Sequence, residues 1–161
     1  MTNETNITLT LNGEKVSAKA EPRMLASDFI RDVLFMSGTH VGCEHGVCGA
    51  CTIRFNGKTA RSCLLFAAQL DGANVETVES LGTAIDMHRI QKAFRKHHAL
   101  QCGFCTPGFL MTVSEILETL PLSTDDEIRD ALSGNLCRCT GYEHIVRAVR
   151  ELVDERDGVP A

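Results

Sequence analysis

The sequence predicts an α+β chain in two parts, a mixed sheet followed by a four-helix bundle. Three observations lead there. Short alternating runs joined by Asn-Gly turns fill the first half. Helix-starting signals and apolar residues at helical spacing fill the second. Eight cysteines fall in two sets of four, one set in each half. The character changes at Leu81-Gly82, which divides the chain into residues 1–81 and 82–161.

The elements follow in order. Ile7, Leu9 and Leu11 alternate with polar residues, Asn12-Gly13 signals a type I′ turn, and Lys15 to Ala18 returns. Pro22 stops that strand, and Leu25, Phe29, Ile30, Val33 and Leu34 then recur at helical spacing. Residues 36–51 hold Gly38, Gly42, Cys43, Gly46, Cys48, Gly49 and Cys51, too many breakers for a regular element. Thr52 to Phe55 reads as a strand, Asn56-Gly57 as a second hairpin turn, and Val75 to Val78 as a last strand. A mixed sheet crossed by one helix and carrying a cysteine loop is a β-grasp arrangement. Beyond residue 84, Ile85, Ile90, Ala93 and Phe94 predict a helix. Thr106-Pro107 reads as an N-cap with Pro at N1, opening Phe109 to Leu120 before Pro121. Thr124 to Glu127 reads as a capping box, as does Thr140 to Glu143, which opens Ile145 to Val153. The tail from Asp154 is polar and expected to be mobile.

Composition narrows the function classes. The chain has 161 residues, 43% of them hydrophobic, as a globular protein does. Its net charge of −5 and lack of a basic run argue against a nucleic-acid or anionic-membrane surface. No apolar run approaches the roughly 20 residues of a membrane span. Met1 to Asn6 has neither a basic nor an apolar region of the secretory kind. Eight cysteines without such a signal point to a reducing compartment, where thiols bind metal.

The first cysteine set is Cys43, Cys48, Cys51 and Cys63, C-x4-C-x2-C with one more Cys beyond the second hairpin. That is the spacing of a plant-type [2Fe–2S] ferredoxin loop, whose potential is about −400 mV. Zinc sites pair two short knuckles instead, so zinc fits this triplet less well. The second set, Cys102, Cys105, Cys137 and Cys139, is C-x2-C and then C-x-C, and alone it suits zinc or a [2Fe–2S] cluster equally. Its cysteines are expected at helix N-termini, which favour an anionic cluster, and a companion cluster in the same chain tilts the reading the same way. Cys48-Gly49-Ala50-Cys51-Thr52 and Cys102-Gly103-Phe104-Cys105-Thr106 share C-G-x-C-T, one backbone solution used twice, with Gly at positive φ. The six histidines lack metal spacing and read as solvated or capping. No nucleophile elbow, HExxH, GxGxxG or Walker A is present. The chain reads as one that carries electrons without holding a substrate.

Three segments together carry a resemblance. Gly42 to Thr52, Gln101 to Gly108 and Gly134 to Tyr142 resemble the small iron–sulfur subunit of the molybdenum hydroxylases, the family of xanthine oxidase, aldehyde oxidoreductase and aerobic carbon monoxide dehydrogenase. The resemblance spans residues 6–153. It implies a β-grasp ferredoxin domain whose cluster, on Cys43, Cys48, Cys51 and Cys63, faces a flavin. It implies a helical bundle whose cluster, on Cys102, Cys105, Cys137 and Cys139, sits beside molybdopterin. Gln101 matches the glutamine that hydrogen-bonds the pterin, and Cys139 matches the ligand nearest to it. Electrons would pass from molybdenum through both clusters to FAD. A chain ending at Ala161 would leave molybdopterin on a large partner subunit and FAD on a medium one, in a dimer of heterotrimers. Without a twin-arginine signal, the cytoplasm is expected. Relatives often have Leu-His-Pro-Leu-Gln where this chain has Met87-His88-Arg89-Ile90-Gln91, so the start of that helix is expected to differ. Two rival readings stay open on residues alone: a free-standing two-cluster ferredoxin and a zinc-stapled interaction module. The substrate and final acceptor lie outside this chain's sequence.

Overall fold

The structure is a computed structural model and describes residues 4–158. Strands β1 (Thr5–Leu11) and β2 (Glu14–Ala20) form the first hairpin. Asn12 and Gly13 take φ of 51° and 87°, as a type I′ turn requires. Ile7, Leu9 and Leu11 face inward at period two, so one side of the hairpin is buried.

Helix α1 (Ala26–Asp28) runs directly into a π-helical turn, Phe29–Val33. The wider turn is marked by the Leu34 amide donating to the Phe29 carbonyl at 2.9 Å. Phe29 and Ile30 are fully buried against the sheet. Strands β3 (Thr52–Phe55) and β4 (Lys58–Arg61) form the second hairpin around Asn56-Gly57. Strand β5 (Asn74–Glu76) pairs parallel with β1 and antiparallel with β3. The sheet order β2-β1-β5-β3-β4 is the mixed β-grasp sheet the sequence predicts.

Four helices follow: α2 (Arg89–Lys96), α3 (Thr106–Thr119), α4 (Asp125–Leu132) and α5 (Glu143–Asp157). They enclose a second core of Ile90, Phe94, Phe109, Val113, Ile128, Ile145 and Val149, separate from the sheet core of Ile7, Leu9, Phe29, Ile53, Leu70 and Val75.

The helix starts depart from expectation in three places. Ile85 is fully exposed and outside α2, which begins instead after His88. His88 closes a capping box with Gln91, so a ring nitrogen and a glutamine do what the missing proline does not. Cys105, not Thr106, is the N-cap of α3, and Pro107 falls one turn position later. Thr140 does not cap α5; Tyr142 does, in a left-handed conformation with φ 69°. The Thr124–Glu127 capping box of α4 is present as read. The expected mobile tail is helical through Asp157, and residues 159–161 lie outside the described residues.

Sheet and bundle are joined by α3 lying along β3 and β4. Arg54 on β3 grips Glu118 on α3 with two nitrogens, at 3.0 and 2.8 Å. Glu115 accepts the Thr59 amide at 3.0 Å. The Arg54 guanidinium holds the Glu118 carboxyl below the usual carboxylate range. A depressed carboxyl stabilises the fold above its unfolded pKa and loses that stabilisation as pH falls through its folded one. Glu118 is more than half exposed, so the increment is about 0.5–1 kcal/mol. Arg54→Met should remove this increment at neutral pH and leave stability near pH 3 little changed. Urea midpoints of the two proteins, measured at both ends of that range, check it; equal gaps at both ends would be the contrary result.

Candidate metal centres

The first cysteine set lies on the glycine-rich stretch between the π-turn and β3, with Cys63 on the 3-10 turn Ser62–Leu64 that follows β4. The chain curls there because Glu44, Gly46 and Gly49 all take positive φ. The curl aims amide hydrogens at sulfur. The Cys48 amide donates to Cys43 Sγ at 3.4 Å. The amides of His45 and Val47 also reach Cys43, and together these donors pull its thiol down to about 6. Burial, and then the neighbouring Cys51 sulfur, push Cys63 up to about 11. Cys48 is raised by burial first and by Cys43 beside it. Cys51 and Cys63 are buried, while Cys43 and Cys48 form a partly exposed edge.

The second set is drawn together by the start of α3 and the segment between α4 and α5. Cys139 and Cys102, both exposed, meet at 3.5 Å between sulfurs. Cys105 is pushed up to about 12 by burial and by the Cys137 sulfur. Burial acts on Cys137 in the same sense, but donors around it outweigh this and lower its pKa. The Thr140 hydroxyl donates to Cys137 Sγ at 3.2 Å and accepts the Tyr142 amide at 3.1 Å. The Tyr142 hydroxyl accepts the Cys137 amide at 3.0 Å. Thr140 therefore serves a sulfur where the sequence suggested a helix cap. Thr-Gly-Tyr directly after Cys139 was the available signal, because a hydroxyl so close to a ligand pair has two competing uses.

Among the described residues, no three or more His, Cys, Asp or Glu side chains are arranged to hold a single metal ion. The thiols meet instead in pairs, Cys43 with Cys48, Cys51 with Cys63, Cys102 with Cys139 and Cys105 with Cys137. The His45 Nδ1 sits against the Cys43 carbonyl. His40 stacks on Phe104 with ring centres 4.8 Å apart and contacts the Phe104 carbonyl through Nδ1. Soft donors, crowded thiols that favour an added cation, and amides turned toward sulfur all fit a [2Fe–2S] cluster at each quartet.

The quartets adjoin. The Leu136 amide, next to Cys137, donates to the Cys48 carbonyl at 2.9 Å. Gln101 is exposed beside Cys102.

A β-grasp sheet and a helical bundle, each presenting four thiols, define a two-centre iron–sulfur protein. Comparison with known proteins narrows this. Residues 31–94 match the model of a 2Fe-2S iron-sulfur cluster binding domain, and residues 77–150 that of a [2Fe-2S] binding domain. The chain is 52% identical to the caffeine dehydrogenase subunit gamma of Pseudomonas sp. (strain CBB1), over 91% of this chain and 89% of that one. It is 50% identical to the nicotine 6-hydroxylase small subunit of Paenarthrobacter nicotinovorans, over 89% and 86%. A chain of quinoline 2-oxidoreductase from Pseudomonas putida 86 superposes with a TM-score of 0.90 at 46% identity, covering 98% of this chain and 99% of that one. The chain belongs to the small [2Fe–2S] iron–sulfur subunits of the molybdenum hydroxylases, and it is the electron-transfer component of a multi-subunit oxidoreductase. No described helix is long and apolar enough to cross a membrane.

The two C-G-x-C-T glycines separate backbone strain from crowding. Gly103 has φ 82° with open space where a Cβ would stand, so Gly103→Ala should cost only about 1–2 kcal/mol. Gly49 has φ 73°, and its Cβ would lie 2.5 Å from the Gly134 carbonyl oxygen. Gly49→Ala should therefore destabilise the chain more and lower its iron content. Urea unfolding and iron analysis of both variants check the order; the reverse order would contradict it.

Proposed function

We propose that this chain conducts electrons between a large molybdopterin-binding subunit and a medium FAD-binding subunit, within a dimer of heterotrimers in the cytoplasm. Cys43, Cys48, Cys51 and Cys63 hold the cluster on the flavin side; Cys102, Cys105, Cys137 and Cys139 hold the one on the molybdenum side. When bound, each [2Fe–2S] cluster takes up and gives up one electron. The observation that carries this reading is that each quartet has a more exposed edge, and that the two are joined by the Leu136–Cys48 hydrogen bond. An exposed edge admits an electron from a partner; a bonded connection passes it inside the chain.

The residues have separate tasks in this reading. Gln101, exposed beside Cys102, offers an amide to the pterin, and the exposed Cys139 is the ligand nearest to it. Val47, Leu64 and Phe66 are large, apolar and about half exposed around the first quartet, as Phe104 and Leu136 are around the second. Such surface beside a redox centre suits burial against a partner and speaks against a free-standing ferredoxin. Two separate apolar cores support a division into two parts, residues 1–81 and 82–161, with Val78 and Leu81 packing across that boundary onto the bundle core. The relatives named above act on caffeine, nicotine or quinoline by name, and we extend the reading to a nitrogen heterocycle as the substrate class of the assembled enzyme.

Low-temperature EPR of the dithionite-reduced complex, with iron and molybdenum counted, tests this directly. Two distinct S = 1/2 signals and four irons per chain are expected from two [2Fe–2S] clusters. A single signal, or zinc in place of iron, would break the assignment of the second set. Cys43→Ser should damage one signal and stop reduction of FAD while substrate still reduces molybdenum once; loss of molybdenum reduction would reverse the order of the two sites. Gln101→Ala should lower molybdenum content with both EPR signals intact, and unchanged content would remove the pterin role.

A further inference from the structure

One buried asparagine stands where the two cysteine loops touch. Asn135 is 2% exposed, and its side-chain amide is engaged on both atoms. Its Oδ1 accepts the Thr112 hydroxyl at 2.8 Å. Its Nδ2 donates to the Gly49 carbonyl at 3.0 Å and lies 3.5 Å from Thr52 Oγ1. None of these partners is local: they stand 23, 86 and 83 positions away. Gly49 lies between Cys48 and Cys51, Thr112 is on the helix that Cys105 caps, and Asn135 comes two residues before Cys137. A single amide thus ties a segment of the first quartet to two segments of the second.

The surroundings leave no slack at this point. A Cβ on Gly49 would lie 2.7 Å from Asn135 Nδ2, and one on Gly108 would lie 2.2 Å from the Gly49 carbonyl oxygen. Arg61 closes the far side, donating to Thr52 Oγ1 at 2.6 Å and also to the Gly134 carbonyl. The Leu136–Cys48 hydrogen bond is adjacent in the chain to both Asn135 and Gly49. The amide accepts from Thr112 through its oxygen and donates to Gly49 through its nitrogen, so two separate atoms hold the two segments; a carboxylate only accepts.

We propose that Asn135 is a positioning residue that sets the separation of the two clusters and, through it, the rate at which an electron passes between them. This rests on the assignment of the eight cysteines made above. In the step it governs, one electron leaves the reduced cluster and enters the oxidised one. No bond forms or breaks at Asn135, and no proton moves there. Tunnelling falls steeply with distance, so slack at this junction acts on the transfer rate before it acts on the binding of iron. A residue that only stabilised the fold would change unfolding and iron content while leaving the interaction between loaded clusters as it was.

The test uses the complete complex with Asn135→Ala, Thr112→Val and Thr112→Ser. Thr112→Val removes the hydroxyl that orients Asn135 and leaves every amide and thiol in place; Thr112→Ser keeps the hydroxyl. Each protein is analysed for iron, for the magnetic interaction between the two reduced clusters by low-temperature EPR, and for the inter-cluster rate after rapid one-electron reduction. The expected result is unchanged iron in Thr112→Val, with a weakened magnetic interaction and slower transfer, both restored in Thr112→Ser and more strongly affected in Asn135→Ala. An unchanged interaction and rate in Thr112→Val and Asn135→Ala would overturn the proposal. So would loss of iron in Thr112→Val, which would make the junction a requirement for assembly. Fewer than four irons in the unaltered chain would instead overturn the cysteine assignment, so the two failures are told apart.

Discussion

Thiolate sulfurs held in contact repel one another, and burial strengthens the repulsion. Each quartet has a thiol subject to both effects. Cys63 and Cys105 are pushed up to about 11 and about 12, each by burial first and by a neighbouring sulfur next. The chain answers with hydrogen-bond donors. Three amides turn toward Cys43, and a threonine hydroxyl turns toward Cys137. Positive-φ residues make the first arrangement possible, because a curl tight enough to aim successive amides inward needs the left-handed region at Glu44, Gly46 and Gly49. The two loops are thus shaped by the need to hold negative charge, more than by any preference for regular structure.

Loops of this kind have little packing of their own and depend on rigid neighbours. On the N-terminal side the sheet core supplies them, with Phe29 and Ile30 pressing the π-turn onto β-strand side chains. On the C-terminal side the cysteines sit at the end of a bundle whose core includes Cys137 itself. Small domains often rely on a metal to complete their stability. Here the bundle core includes Cys137, with Cys105 packed against it, so metal held by these residues would couple its binding to folding.

The two halves do not hang from a flexible linker. Arg54 and Glu115 bridge sheet and bundle along α3, and Asn135 and Arg61 bridge them at the loops. This double attachment suits a chain whose two centres must keep a constant separation. The apolar residues left exposed near the quartets, among them Leu64, Phe66 and Phe104, fit a subunit that completes its surface in an assembly.

The sequence by itself determined the fold class, the two hairpins and the four helices. Each of these is written in local chemistry: Asn-Gly turns, apolar periodicity and a Thr124–Glu127 capping box. It misplaced the starts of α2, α3 and α5: His88 caps α2 with a ring nitrogen, while Cys105 and Tyr142 stand at the cap positions of α3 and α5 without a side-chain cap bond, which composition does not announce. Thr140 shows the reason most clearly: its hydroxyl suits a helix amide or a sulfur equally well, and only the position of Cys137 decides between them. The roles of Arg61, Thr112 and Asn135 were invisible for the same reason. Their partners lie far away along the chain, and a hydrogen bond between remote residues leaves no periodic trace in the sequence. What the tertiary structure alone decided is therefore how the two cysteine loops meet, since that depends on long-range contacts between the sheet and the bundle.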